Sequence, residues 1–192
     1  TYRATLNMNG GGSLARYYVS VSYVDEGGMY KVDEGLKDYN TNANYRRWNY
    51  RLNVDMDITK STLLKVGVAG SLDKKNEPGM AGNIWASAMR NNPISVPVMY
   101  SNGYVPAYGS ENDQLNPWVA ATQTGYQETW NNKLQANATL EQNFSFITKG
   151  LKFIGRYGFD TNNFQWINRK KFPEMWRAEQ NRASDGLSLI HI

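Results

Sequence analysis

The feature that most constrains this chain is a strict alternation of residue types between positions 47 and 58. The even-numbered positions are all apolar: Trp48, Tyr50, Leu52, Val54, Met56 and Ile58. The odd-numbered positions are all polar or charged: Arg47, Asn49, Arg51, Asn53, Asp55 and Asp57. A period of two places the two sets on opposite faces of a β-strand, whereas a helix would mix them around its circumference. The stretch therefore predicts a long strand with one apolar and one polar face.

The length of this strand raises the question of which apolar medium its even face meets. Strands of soluble proteins are usually about 5–6 residues long, while a tilted strand that crosses a bilayer needs about 9–11. The alternation from residue 47 to residue 58 satisfies the second requirement. No run in the sequence approaches the ~18 apolar residues of a membrane helix, but alternation averages hydropathy away and does not exclude a membrane barrel.

Composition excludes several classes of function. The 192-residue chain contains no Cys, and its one His is His191. We therefore expect no disulfide, no metal site and no catalysis by histidine. We also expect no cofactor and no catalytic residue, so the protein is predicted not to be an enzyme. The net charge of +4 arises from Lys and Arg scattered among nearly as many acidic residues. Because a nucleic-acid surface needs basic residues clustered on one element, we expect no nucleic-acid partner.

The same alternation recurs along the chain and predicts about six long strands. They cover Tyr2 to Asn9, Arg16 to Val24, Tyr45 to Ile58, Leu63 to Asp73, Glu128 to Phe144 and Leu151 to about Thr161. The segment from Lys74 to Gln127 predicts a long irregular connection. Within it, helical spacing of apolar residues predicts one short helix from Ala81 to Arg90, ended by the Asn-Asn-Pro sequence that follows. Residues from Asn163 to Gly186 are predicted to form a loop.

The predicted connections alternate between short turns and long loops. The aromatic residues on the apolar parity gather toward the strand ends that adjoin the long loops: Tyr2, Tyr23, Trp48, Tyr50, Trp130 and, less clearly, Phe159. Short turns at one rim, long loops at the other and an aromatic girdle are typical of an outer-membrane β-barrel. The soluble alternative is an antiparallel sandwich or barrel that packs one face on a protein core.

Five segments keep a characteristic order and spacing across most of residues 1–167. They are GGGSLARYYVSVSY (10–23), DEGG (25–28), YRRWNYRLNVD (45–55), TK (59–60) leading to LKVGV (64–68), and FITKGL (146–151). Together they resemble the SusC-like TonB-dependent transporters of the Gram-negative outer membrane. The resemblance implies that residues 1–186 are part of the barrel domain of such a receptor, with the plug and the remaining strands absent from this sequence.

The resemblance also implies a fold and a function. The expected fold is all-β: an antiparallel up-and-down meander of about six long strands, forming an open segment of a transmembrane barrel of about 22 strands, with one long loop that contains a short helix. The expected function is import of oligosaccharides, or sometimes peptides, across the outer membrane. The implied partners are outer-membrane lipid, a SusD-like surface lipoprotein, and the TonB complex, which would act through the missing plug region.

The last six residues, Leu187 to Ile192, have the sequence LSLIHI. This sequence looks like the in-frame translation of a transposon end used in preparing sequencing libraries. We therefore expect residues 187–192 to be foreign to the protein, and the alternative is a genuine short strand. The only His of the chain lies in this segment, which is a further reason to give it no functional role.

Two sets of residues are candidates for contact with cargo. The first set consists of aromatic residues in the long connection, which could stack on sugar rings or pack the loop on itself: Trp85, Tyr100, Tyr104, Tyr108 and Trp118. The second set is expected to face a water-filled lumen: Arg47, Asn49, Arg51, Asn53 and Asp55. The rival hypothesis is a secreted carbohydrate-binding β-sandwich module.

Two further clusters of charge have plain explanations. Glycoside hydrolysis would need two carboxyl groups about 5–9.5 Å apart, and we expect Asp55, Asp57 and Asp160 to be ordinary charges of the polar face instead. The basic run from Arg169 to Lys171 is predicted to be a solvated loop segment, and contact with lipopolysaccharide phosphates is the alternative.

Overall fold

The computed structural model of the chain describes residues 1–35, 38–94, 96–106, 115–178 and 189–191. Strands account for 58% of the structure and helices for 10%, which confirms the all-β fold. The elements in chain order are β1 (Tyr2–Gly11), β2 (Ala15–Gly27), β3 (Asn44–Thr59), β4 (Thr62–Pro78), α1 (Ala81–Arg90), α2 (Pro117–Thr122), β5 (Gly125–Asn143), β6 (Lys152–Lys170), β7 (Trp176–Ala178) and β8 (Leu189–His191).

Strands β1 to β6 form one antiparallel meander in which every strand pairs with its neighbours in sequence. The sheet is not closed, so β1 and β6 are its edge strands. In the first pair Leu6 lies opposite Val21, and Asn7 lies opposite Ser20. This register keeps apolar residues of both strands on one face and polar residues on the other, as the alternation predicts. Strands β7 and β8 form a separate antiparallel pair.

The connections alternate in length, as expected from the sequence. Residues 12–14, 60–61 and 144–151 make the short connections, while residues 28–43 and 79–124 make the long ones. In the last short turn the Phe144 amide donates to the Leu151 carbonyl at 2.9 Å, and Gly150 adopts a φ of +85°. This alternation places all short turns at one end of the strands and all long connections at the other, because the strands run up and down.

The two faces of the six-stranded sheet differ sharply in chemistry. We call the face that carries the even-numbered residues of β3 the apolar face, and its opposite the polar face. Large side chains of the apolar face stay exposed, with 61% of Leu6, 51% of Met8 and 57% of Ile58 accessible. Aromatic pairing also occurs on this face, where the rings of Tyr23 and Trp48 lie 4.4 Å apart. The apolar face is therefore a broad, open hydrophobic surface.

Four strand ends expected from the sequence are wrong, and the first is that of β2, which runs to Gly27 and not to Val24. Strand β4 continues to Pro78 and β5 begins at Gly125, so the irregular connection is shorter than Lys74 to Gln127. Strand β6 runs to Lys170, so the predicted loop that begins at Asn163 is a strand up to that residue. Backbone pairing explains the extension, because the amide of Lys171 still donates to the carbonyl of Thr124 at 3.0 Å. The basic Arg169 and Lys170 belong to this strand.

The predicted helix is confirmed with its limits, and a second helix was missed. Helix α1 spans Ala81–Arg90, and its C-cap Asn91 is extended, as expected before Asn92-Pro93. Helix α2 begins after Asn116, whose side chain accepts a hydrogen bond from the Trp118 amide, with Pro117 in the first turn. Within the part of the chain that the structure describes, no helix is long and apolar enough to cross a membrane.

The chain divides into two compact units. The strand unit comprises Thr1–Glu26, Tyr45–Lys75 and Thr129–Gln165, and the loop unit comprises Gly27–Asn44, Asn76–Glu128 and Trp166–Ile192. The loop unit has its own small core. One cluster joins Met80, Leu115, Val119 and Met175, with Val105 and Trp118 packed against it, and another joins Ile84, Ala120 and Ala121, with Tyr30 packed against it. The long connections therefore fold around hydrophobic clusters of their own.

Side-chain hydrogen bonds join the first long connection both to the end of β4 and to the second long connection within the loop unit. The Asn76 amide group donates to the carbonyls of Asn40 and Asn42, both at 2.9 Å. The Tyr39 hydroxyl donates to the Gln123 carbonyl at 3.3 Å. Burial raises the pKa of the Tyr39 phenol above its ordinary value, a backbone hydrogen bond at Gly125 opposes the rise, and nearby carboxylates add to it. The phenol therefore stays protonated and remains a donor at neutral pH.

The C-terminal segment takes part in pairing. Trp176 lies opposite His191, and Ala178 lies opposite Leu189. Residues 187, 188 and 192 lie outside the described residues. The foreign origin of residues 187–192 concerns where the sequence came from, so it stays a prediction.

Candidate functional site

The polar face of the strand unit carries a cavity of about 660 Å³, which we call the basin. Five strands contribute to its lining. Strands β2 and β3 supply Tyr18, Ser20, Arg47, Asn49, Tyr50 and Arg51. Strands β4, β5 and β6 supply Ala69, Gly70, Ser71, Lys133, Gln135, Asp160, Thr161 and Asn162. Nearly all of its side chains are polar, so the basin suits a hydrophilic ligand or water.

The difference in side-chain size between neighbouring strands forms the basin. On the polar parity of β4 the residues are small, with Gly67, Ala69 and Ser71 at successive positions. Strands β3 and β5 flank β4 and carry long side chains such as Arg51 and Lys133. The Asn137 side chain lies close to β4 at Gly67, because a Cβ added at Gly67 would lie only 2.8 Å from the Asn137 side-chain oxygen. The small residues of β4 therefore form the bottom of the basin, and the long side chains of β3 and β5 form its sides.

Arg47 and Asn49 are fixed at the β3 side of the basin. The Arg47 Nε donates to the Asn49 Oδ1 at 2.8 Å, and the Asn49 amide donates to the Ser22 hydroxyl at 3.1 Å. Arg47 Nε also lies 3.3 Å from Asp73 Oδ1, which holds it by charge. These contacts join β2, β3 and β4, and they hold the Arg47 and Asn49 side chains in place without a ligand.

Charge in the basin is less completely paired at its other side. The side chains of Arg51 and Lys133 make no hydrogen bond or ion pair with the described residues, and the same holds for the side chain of Asp160, the one carboxylate among the lining residues. Arg47 is compensated by Asp73. The basin therefore presents two uncompensated cationic groups and one anionic group to whatever fills it.

The structure brings together three of the five residues expected to face the lumen. Arg47, Asn49 and Arg51 line the basin, while Asn53 and Asp55 share their parity but lie beyond the lining. Sequence reasoning did not assign the partners from β2, β4 and β5, such as Ser20, Ser71 and Lys133. Their alternation was visible in the sequence, but the registers between strands were not, and registers decide which polar residues meet.

Two of the aromatic candidates, Trp118 and Tyr104, pack within the loop unit, and Tyr100 is half-buried there. Trp118 lies against the cluster around Val119. The ring of Tyr104 stacks on Trp176 with centroids 4.6 Å apart and an interplanar angle of 18°. Tyr100 is half-buried, and its amide donates to the Tyr104 carbonyl at 2.9 Å. These contacts fit the interpretation that the aromatics pack the loop on itself.

The other two aromatic candidates differ from this group. Trp85 lies on α1 with 61% of its surface accessible, and Met89 one turn later is 84% accessible. Tyr108 lies outside the described residues. Sugar contact by these aromatics stays a prediction, and Trp85 is the described candidate that is open to it.

The carboxylates considered for hydrolysis do not gather at one place. Asp57 pairs with Arg16 at 3.2 Å, whereas Asp160 lines the basin and Asp55 does not. Among the described residues no group of three or more His, Cys, Asp or Glu side chains is arranged to hold a metal ion. Arg169 and Lys170 are the last two residues of strand β6, so they do not belong to a loop.

Comparison with known proteins adds no relative to this picture. No protein-family model matches the chain, and no curated protein matches it.

Proposed function

We propose that the chain is a segment of a large outer-membrane β-barrel that imports oligosaccharides or peptides. The observation that carries the proposal is the open apolar face of strands that are long enough to cross a bilayer. Strands β3, β4, β5 and β6 have 16, 17, 19 and 19 residues, against the about 9–11 that a tilted crossing requires.

The distribution of chemistry across the sheet supports this environment. A barrel strand alternates between a lipid-facing apolar side and a lumen-facing polar side. Exposed side chains such as Leu6 and Ile58 would meet lipid, while the basin with Asn49 and Arg51 would face water in the lumen. In this arrangement cargo passes along the polar face, and the short turns lie on the periplasmic side.

The resemblance to SusC-like transporters supplies the energy source and the partners of the proposal. Import would depend on the TonB complex, acting through the plug of the same transporter. A SusD-like surface lipoprotein would close the extracellular side, where the long connections lie. Exposed apolar side chains of helix α1, such as Trp85 and Met89, would offer a surface for contact with cargo or with the lid.

The rival hypothesis, a secreted carbohydrate-binding sandwich, expects the apolar face to be dry. Two packed sheets bury their facing side chains in a core about 10 Å thick. Met8, Leu6 and Ile58 are each more than half accessible instead, so the described strands favour a lipid-facing surface over a sandwich core.

Lysine substitution on the two faces of β3 tests the membrane assignment. Leu52 lies on the apolar face near the middle of the strand, so Leu52→Lys should destabilise the protein in a phospholipid bilayer by about 2–4 kcal/mol. Val54→Lys should act in the same way. The matched control is Asn53→Lys, which places the same charge on the polar face and should change the free energy of unfolding little.

The measurement is urea-induced unfolding from phospholipid vesicles, together with the fraction of the full-length transporter that assembles in the outer membrane. Equal, mild effects of Leu52→Lys and Asn53→Lys would overturn the proposed function, because lipid would then not touch the apolar face.

A further inference from the structure

The basin has a charge pattern that its own architecture does not require. The Arg47 Nε lies 3.3 Å from Asp73 Oδ1 and donates to Asn49 Oδ1 at 2.8 Å, so the charge of Arg47 is paired within the sheet. Arg51 and Lys133, on the strands that flank β4, have no such partner among the described residues. Two long cationic side chains are thus exposed toward one cavity with the small residues of β4 between them.

The remaining lining adds groups that bind hydroxyls. Asn49, Gln135 and Asn162 carry amides, Ser20 and Ser71 carry hydroxyls, and each can donate and accept hydrogen bonds. Tyr18 adds an aromatic ring that is 39% accessible, and such a ring offers apolar area to the C–H groups of a sugar.

We propose that the basin binds an acidic oligosaccharide, with Arg51 and Lys133 contacting the carboxylate of a uronic acid unit. This inference rests on the proposed function, since it names the class of cargo that the polar face would bind. The carboxylate would form charge-assisted hydrogen bonds, which are shorter and stronger than those of neutral groups. Amides and hydroxyls of the lining would bind the sugar hydroxyls.

An acidic peptide fits the same basin less well. No aliphatic side chain larger than Ala69 lines the cavity, so it offers no aliphatic pocket for peptide side chains. Strands β3, β4 and β5 each have a neighbour on both sides, so a peptide cannot add as a further strand at this place. A polyhydroxylated ligand with carboxylates matches the lining better.

The single carboxylate of the lining predicts an effect of opposite sign. Asp160 has no partner among the described residues and would repel an anionic ligand. Removing its charge should therefore strengthen binding, whereas removing a basin cation should weaken it. Two changes with opposite outcomes separate a specific charge effect from a general loss of folding.

The test is a titration of the full chain, folded in detergent micelles, with fluorescein-labelled tetragalacturonate. Fluorescence anisotropy gives the Kd, and far-UV circular dichroism checks that each variant is folded. Maltotetraose is the neutral probe and tetraglutamate the acidic peptide probe. We expect tetragalacturonate to bind more tightly than both, with a Kd that rises as added salt screens the charges.

The variants locate the effect. Arg51→Gln and Lys133→Gln should each raise the Kd for tetragalacturonate roughly tenfold, Arg51→Lys should retain most of the binding, and Asp160→Asn should lower the Kd. The matched control is Arg156→Gln, because Arg156 has the same charge and lies on β6 outside the basin lining. Its removal should leave the Kd unchanged.

Several outcomes would overturn the inference: no binding of tetragalacturonate, equal binding of maltotetraose, equal or tighter binding of tetraglutamate, or an unchanged Kd in Arg51→Gln and Lys133→Gln. None of these results bears on the bilayer experiment with Leu52→Lys and Asn53→Lys, which contains no ligand. A failure of the cargo assignment is therefore distinguishable from a failure of the proposed function.

Discussion

The Asn116 side chain joins three separate backbone groups of the loop unit. Its side chain is 2% accessible. Its Oδ1 accepts from the Trp118 amide at 3.0 Å, and its Nδ2 donates to the carbonyls of Pro97 and Val98 at 3.2 and 3.1 Å. The same side chain thus caps α2 and holds a distant turn. A buried amide with all these groups paired is costly to truncate, because the partners lose their hydrogen bonds inside the protein.

We predict that Asn116→Ala lowers the free energy of unfolding by about 1–3 kcal/mol. Asn116→Asp should destabilise at least as much, since it keeps the acceptor for the cap but places a buried carboxylate against the carbonyls of Pro97 and Val98. Urea unfolding followed by tryptophan fluorescence measures both. The control is Asn102→Ala, since Asn102 is exposed and makes one hydrogen bond, with the Tyr104 amide at 3.2 Å. An effect of Asn102→Ala as large as that of Asn116→Ala would contradict the assigned role.

At the scale of the elements, the start of β5 is the point where three backbone segments of the loop unit come close. The Gly79 amide donates to the Gly125 carbonyl at 3.0 Å, and the Lys171 amide donates to the Thr124 carbonyl at 3.0 Å. Gly125 has a φ of +88°, and a Cβ on it would overlap the Arg169 carbonyl oxygen. Glycine is required here both for its conformation and for the approach of β6.

Substituting alanine at two glycines of similar φ separates these two requirements. Gly103 has a φ of +84° and open space around its Cβ position, so Gly103→Ala should cost only the left-handed conformation, about 1–2 kcal/mol. Gly125→Ala should cost more, because the chain must also move away from Arg169. Comparing the thermal unfolding midpoints of both variants tests this. Equal losses would show that the close approach of β6 contributes nothing.

At the scale of the whole molecule, the sheet is an open meander with two edges. Strands β2 to β5 each have two neighbours, while β1 and β6 each have one. The unpaired amides of an edge strand exchange with solvent more readily and offer a template for another strand. In the proposed barrel these edges would pair with further strands of the same wall.

Hydrogen exchange tests the described edges directly. For the chain in detergent micelles, we expect slow amide exchange in β3 and β4 and fast exchange along β1, where only alternate amides are paired with β2. Mass spectrometry of peptide fragments resolves these strands. Protection of β1 as strong as that of β3 would show that its free edge has a partner, such as a second copy of the chain.

How far the sequence reaches is clear from particular elements. The alternation around Leu52 predicted a two-faced strand, and the helical spacing around Ile84 predicted α1 with its observed limits. The sequence did not predict α2, although Asn116-Pro117 is a recognised helix start, with a capping side chain and proline in the first turn. That helix is short, so its own periodicity was too brief to be read.

Local sequence patterns predict the faces of the strands, the order of short and long connections and the first helix. These follow from periodicity and turn residues, which are properties of neighbouring positions. The extension of β6 past Asn163, the core of the loop unit and the basin were decided only by tertiary structure. Each depends on partners far apart in sequence, as when Asn168 donates to Gln127 at 3.3 Å or Arg51 and Lys133 line the same cavity. Strand register and packing determine these contacts, and no local sequence pattern predicts them.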